Sequence, residues 1–230
     1  MKTIDKVLDR DDVIYDNGKD THAIYKNKNG EIVPSATTVL KILNKPALLN
    51  WANWLGLTGK SYKKHMEMVS YIGTTVHEII ECRLLGKKFE LKDPKVWFLD
   101  CKEYINSFNI WYKENPLEPI AIEDHMESDR FGGTCDFYGI YNGKKTIIDF
   151  KTSKGVYMSM FIQLAAYIIL REEKGDVVEQ VGILTINKDK CYITLADRII
   201  MDDYIQMFYK CLDLFYEKYQ LDKMYNWKED

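Results

Sequence analysis

The chain has 230 residues, 46% hydrophobic and 29% charged, with a formal net charge of −3; that is the balance of a globular protein with a substantial core, not of a disordered or fibrous chain. Its five cysteines are scattered with no CxxC pair, which argues against a zinc knuckle, an iron–sulfur cluster or a disulfide framework and fits a reducing cytoplasm. The opening MKTIDKVLDRDD has no apolar leader, no run of about 18 apolar residues occurs, and no chain-wide basic footprint exists, so a cytoplasmic protein without membrane contact is expected, meeting any nucleic acid through a local patch.

In chain order, the strand-like segments His22-Ala23-Ile24-Tyr25 and Glu31-Ile32-Val33 flank Asn29-Gly30, a hairpin signal. Ser35 then stands where it can cap a helix over 36–43. An aromatic helical stretch follows around Trp51 and Trp54, then a helix over about 61–85 that ends near Gly86. A helix over about 94–114 stops at Asn115-Pro116, since the residue before proline avoids the helical region. Strands are expected over about 119–127, 132–141 and 144–151, and a helix over about 158–173 that ends at Lys174-Gly175. A second hairpin (about 178–186 and 190–195) and an amphipathic helix (about 199–220) complete the chain. Helices, a β-meander, then helix, strands and helix make the fold class α/β with a mixed central β-sheet flanked by helices.

The hairpin around Asn142-Gly143 carries the chemistry. A two-residue turn there makes Tyr141 oppose Lys144 and, counting back, Asp136 oppose Asp149. Asp149 and Lys151 are two apart and so share a strand face. Facing carboxylates repel unless something positive lies between them. A hard divalent cation, which takes oxygen ligands, removes the penalty, and Lys151 is then placed to stabilise charge on a phosphate or position a water. The plainer alternative is a surface patch in which one lysine offsets two aspartates.

Two further stretches lie nearby in sequence. "YIGTTVHEIIECRLLG" sets Gly73, His77 and Glu81 along one side of a helix; Gly73 is expected to permit close packing, and His77 reads as a ligand, a phosphate contact or a core histidine. Glu78, on another face, is expected to meet solvent or a basic side chain. "FIQLAAYIIL" puts Gln163 and Tyr167 one turn apart on an otherwise apolar helix.

GTTVH, GGTCD, IDFKTSK and QLAAY, in that order, together with the early PSATTVLKIL, resemble the PD-(D/E)XK nuclease superfamily, in particular its RecB-like exonuclease branch, which includes the mitochondrial genome maintenance exonuclease and phage and bacterial relatives. The resemblance spans about residues 33 to 190; GGTCD stands where the superfamily's name has Pro-Asp. It implies a restriction-endonuclease-like αβββαβ core over 61–195, with an N-terminal hairpin and helical addition over 1–60 and a C-terminal helix over 196–230, in one nuclease domain.

The resemblance also implies roles. Asp136, Asp149, His77 and the Phe150 carbonyl would hold Mg²⁺ or Mn²⁺, and Lys151 would be the catalytic lysine. Gln163 and Tyr167 would brace the site and the DNA backbone, with Ser153 and Lys154 as further substrate contacts. Glu81 and Glu123 either orient a water or pair with a neighbouring lysine. The implied activity is DNA exonuclease action on single strands or ends, in recombination, repair or phage DNA metabolism. A structure-selective endonuclease and a non-catalytic DNA-binding subunit are the alternatives. Basic segments at Lys60, Lys63, Lys64 and His65, at Lys87-Lys88, and at Lys144, Lys145 and Lys154 are candidate DNA contacts, and Trp51, Trp54 and Tyr62 are candidate stacking side chains.

Overall fold

The computed structural model describes residues 23–43, 46–91 and 95–225; His22, placed above in the first strand, lies outside them. Strands β1 (Tyr25–Lys26) and β2 (Ile32–Val33) form the small N-terminal hairpin. Ser35 caps helix α1 (Ala36–Val39), its side chain accepting from the Thr38 N–H, and a 3₁₀ turn over Leu40–Ile42 continues it. Helices α2 (Pro46–Leu57), α3 (Tyr62–Leu84) and α4 (Phe98–Glu114) follow. Helix α4 begins at Phe98, later than the expected position 94, which is itself outside the described residues.

The main sheet has five strands in the order β3 (Glu118–Glu127), β4 (Gly132–Tyr141), β5 (Lys144–Lys151), β6 (Gln180–Ile186), β7 (Cys191–Asp197). Asn142 and Gly143 adopt φ of 51° and 76°, the paired positive values a tight turn between twisted strands requires. The register follows from that turn: Tyr141 pairs with Lys144, and so on back to Phe137 with Ile148. Helix α5 (Met158–Glu173) crosses over so that β6 lies parallel to β5, and β7 returns antiparallel. Gly175, with φ 85°, terminates the crossover helix. A 3₁₀ turn over Arg198–Met201 leads into α6 (Asp202–Tyr225), so the last helix starts later and runs further than expected. The mixed central sheet flanked by helices is the α/β architecture read from the sequence.

Two apolar layers hold the helices on the sheet. On one face, Ile162, Leu164, Ala165 and Ile168 of α5 pack with Phe208 and Leu212 of α6, Val39 of α1, and Tyr138, Ile147 and Ile183 of the strands. On the other, Val76 and Ile80 of α3 and Phe108 of α4 pack on Phe137, Ile148, Phe150 and Leu184. Burial on both faces explains why β6, QVGILTI, is apolar without alternation.

Arg171 is buried behind the meander. It pairs with Asp124 at 3.0 Å and Asp176 at 3.2 Å, and its guanidinium lies 4.4 Å from the Tyr138 ring centroid. This ties β3 and β4 to the end of α5. Two glycines allow close approach on β4. A Cβ at Gly139 would lie 2.2 Å from the Glu118 carbonyl oxygen, and one at Gly132 the same distance from Tyr25.

Candidate functional site

The ladder between β4 and β5 runs only as far as Phe137 and Ile148. Asp136 and Asp149, one residue further on, lie beyond that pairing. The Asp136 carboxylate instead accepts from the Phe150 N–H at 2.6 Å. The two strands thus open into a fork, with a side chain in place of the next ladder bond. The expected register therefore holds up to Phe137 and Ile148 and ends one pair short of the two aspartates, whose carboxylates have different neighbours.

Asp149 is almost fully buried, and its Oδ2 lies 2.6 Å from Lys151 Nζ. The contact is an ion pair without hydrogen-bond alignment, so that oxygen keeps no hydrogen-bond partner. Burial pushes the Asp149 carboxyl up to about 6, with Lys151 pulling it down and Asp136 adding to the rise. Burial pulls the Lys151 ammonium down, but the two aspartates outweigh it and leave the group raised. Lys151 is therefore a held positive charge and not a base.

The gathered ligand atoms come from three other elements. His77 on α3, Glu123 on β3 and Asp136 on β4 each offer one, all within 4.8 Å of one another. His77 Nδ1 is 3.7 Å from Asp136 Oδ2, and its ring meets Phe150 edge-on at 5.9 Å between centroids. Glu123 reaches this group because a shift of register between Pro119 and Ala121 moves β3 by one residue against β4. Ile122 then pairs with Phe137 and Asp124 with Cys135, which sets Glu123 abreast of Asp136. Its φ of 47° departs from the strand region, where a non-glycine residue marks local strain. Burial first, and then the charges of Asp136, Glu81, Asp149 and Glu78, push its carboxyl up to about 9.

That crowd of acids tests whether a cation suits the place. One imidazole nitrogen and two carboxylate oxygens, with a carboxyl of raised pKa among them and a buried Asp149 oxygen that Lys151 meets without a hydrogen bond, form a donor set short of positive charge. The residues fit a divalent metal.

Glu81 is not part of the ligand group; it is half-buried on α3, its carboxyl raised by burial and lowered by Lys87. Glu78, expected to meet solvent or a base, instead adds its charge to the field on Glu123. Gly73 does not serve close packing as expected, since a Cβ there would find only the Thr152 hydroxyl, at an ordinary 3.5 Å. That places Thr152, which the sequence did not single out, alongside α3. On α5, Gln163 Nε2 donates to the Tyr167 hydroxyl at 2.6 Å. Tyr167 is buried, and desolvation with the charges of Asp149 and Asp136 raises its pKa well above the ordinary value, so it stays a neutral donor. Ser153 donates to the Gly155 carbonyl at 2.8 Å, and Lys154 is exposed beside it. Burial pushes the Cys135 thiol far up, which removes it as a nucleophile.

No family model matches the sequence, and no relative is found among curated proteins. Among solved structures, the chain is similar to an alkaline exonuclease from Laribacter hongkongensis, at 12% identity over 84% of this chain and 94% of that one, with a TM-score of 0.36. The same enzyme in complex with dAMP aligns at 14% identity over 66% and 85%, with a TM-score of 0.30. A phage-related exonuclease from Haemophilus somnus 129PT aligns at 14% identity over 84% and 96%, also with a TM-score of 0.36. No helix among the described residues is long and apolar enough to cross a membrane.

Proposed function

We propose that the protein is a Mg²⁺- or Mn²⁺-dependent deoxyribonuclease that hydrolyses phosphodiester bonds at free or single-stranded DNA ends, within one nuclease domain whose core is 61–195. One observation carries this reading: His77, Glu123 and Asp136 bring three ligand atoms within 4.8 Å of one another at a strand fork, directly beside the buried Asp149–Lys151 pair. The cation would be held by Asp136, His77 and Glu123, with Asp149 and the Phe150 carbonyl as further ligands. When bound, it lowers the pKa of a water and offsets charge on the scissile phosphate.

The chain's own groups supply the rest. Lys151, kept protonated by the aspartates, holds a positive charge where negative charge grows on the phosphate. Gln163 occupies one lone pair of the Tyr167 oxygen, which leaves the Tyr167 proton free to donate to a phosphate oxygen. Ser153 and Lys154 follow Lys151 in sequence and act as flanking backbone contacts. Glu81, outside the ligand group, adjusts the local field.

The test is digestion of end-labelled linear, circular, single- and double-stranded DNA with Mg²⁺ or Mn²⁺, and again in EDTA. Cleavage of linear DNA only when a cation is present is the expected outcome. Undiminished cleavage in excess EDTA refutes the mechanism. Rapid cutting of closed single-stranded circles assigns an endonuclease instead.

A further inference from the structure

Residues 32 to 66 contain five lysines (Lys41, Lys45, Lys60, Lys63, Lys64) and no Asp or Glu, in a chain with 35 acids and a net charge of −3. The second half of this run forms the end of α2 and the start of α3, and it exposes large apolar side chains. Trp54 is 51% and Tyr62 42% exposed, with Leu57, Met66 and Val69 exposed around them. Lys60 Nζ lies 5.5 Å from the Trp54 ring centroid. Trp51 meets Tyr62 edge-on at 5.7 Å and His65 at 5.1 Å, which props Tyr62 in place. Lys60, Lys63 and Lys64 form no ion pair among the described residues.

The patch is continuous with the candidate site. Tyr62, Met66, Val69, Gly73 and His77 follow one another at steps of four, three, four and four residues on α3, which puts them on a single helix face. Tyr62, Met66 and Val69 are exposed, and Gly73 has no side chain to interrupt the stripe. From Tyr62 to His77 the helix rises about 22 Å, the length of about seven nucleotides at B-form spacing.

We propose that this face of α2 and α3 is a track for single-stranded DNA: unpaired bases stack on Trp54 and Tyr62, the lysines hold their phosphates, and the strand runs along α3 to His77. The proposal rests on the nuclease reading and adds where the substrate strand lies. Exposed aromatic faces suit bases that a duplex would keep stacked on each other, and the acid-free lysine run complements a phosphate backbone. The stripe leads to the proposed cation ligands, and this continuity favours a nucleic-acid strand over an acidic protein.

The experiment measures anisotropy of labelled oligo-dT of graded length in EDTA, so that binding is read without cleavage. Trp54→Ala/Tyr62→Ala should weaken binding of oligomers longer than about seven nucleotides by about 10-fold or more, while Trp54→Phe/Tyr62→Phe keeps most of it. Lys60→Ala/Lys63→Ala/Lys64→Ala should lower the salt slope by about two. Both exposed-residue variants should keep the parent's circular dichroism. Unchanged affinity and length dependence in the alanine double variant overturns the track. So does a change of oligomeric state in that variant by sedimentation, which would make the face a contact between copies of the chain. Absence of cleavage by the parent in Mg²⁺, with the binding results as expected, would instead reject the nuclease reading and leave the track standing.

Discussion

Replacing Lys151 with alanine should destabilise the cation-free protein as well as slow it, because Lys151 is the counter-ion of a buried carboxylate. In the parent, Asp149 carries a pKa raised from 3.8 to about 6, so its ionised form costs the fold about 3 kcal/mol at neutral pH. Without Lys151 the carboxyl escapes by keeping its proton; at pH 7.5 that costs about 5 kcal/mol. The difference, about 2 kcal/mol, is the expected destabilisation; it sits below the roughly 3–5 kcal/mol typical of breaking a buried pair because neutralisation relieves it. For a chain of this size that is a fall of about 4–8 °C in Tm. The folded parent holds the Asp149 proton up to about pH 6 while the unfolded chain releases it near 3.8. Parent stability therefore drops as pH rises through that interval and then levels off, with respect to this group. The variant keeps losing stability beyond pH 6, so the gap between the two opens above pH 6 and closes below it. Thermal unfolding in EDTA across pH 5.5–8 reads this directly, with Asp149→Asn/Lys151→Ala as the reference that lacks the Asp149 titration and keeps every other one. Equal Tm values for parent and Lys151→Ala at pH 7.5 would refute the buried ion pair. Turnover in Mg²⁺ should fall by orders of magnitude, and Lys151→Arg should restore little, since its planar fork does not fit a point-charge site.

Asp136→Asn should abolish both cleavage and the rise in Tm on adding Mn²⁺, measured by differential scanning fluorimetry; a retained rise would move the cation elsewhere. Glu123 keeps its proton up to about 9 when folded against 4.5 ordinarily, so cation-free stability should decline between those values as pH rises. Glu123→Gln should flatten that decline, and an unaltered profile would take Glu123 out of the acidic group. Gly139→Ala must push a Cβ against the Glu118 carbonyl and should cost about 1–3 kcal/mol, seen in urea unfolding; a neutral effect would contradict the close approach of β3 and β4.

The Asn142-Gly143 dipeptide fixed the β4–β5 pairing in advance, because positive φ at both positions leaves a two-residue turn little alternative. Ser35 likewise marked its helix start through a local hydrogen bond. The role of Glu123 stayed open in the sequence for a physical reason. Which β3 residue stands beside Asp136 depends on the one-residue shift after Pro119, and a slip of one reverses every side chain on the strand. Nothing local encodes that shift. The pairing of Asp149 with Lys151 was legible only as a shared face; that Asp149 is buried depends on helices and a neighbouring strand brought in from distant parts of the chain.

The carboxylate at 136 does two jobs, and the choice of an inactive enzyme for trapping studies turns on this. By accepting from the Phe150 N–H, Asp136 closes the end of the β4–β5 ladder. Truncation to alanine would empty the site and also leave a main-chain donor without its acceptor, so lost binding could not be separated from a splayed fork. Asparagine retains an oxygen for that N–H while giving up the charge. It is thus the substitution of choice for capturing an uncut strand on an otherwise undisturbed scaffold.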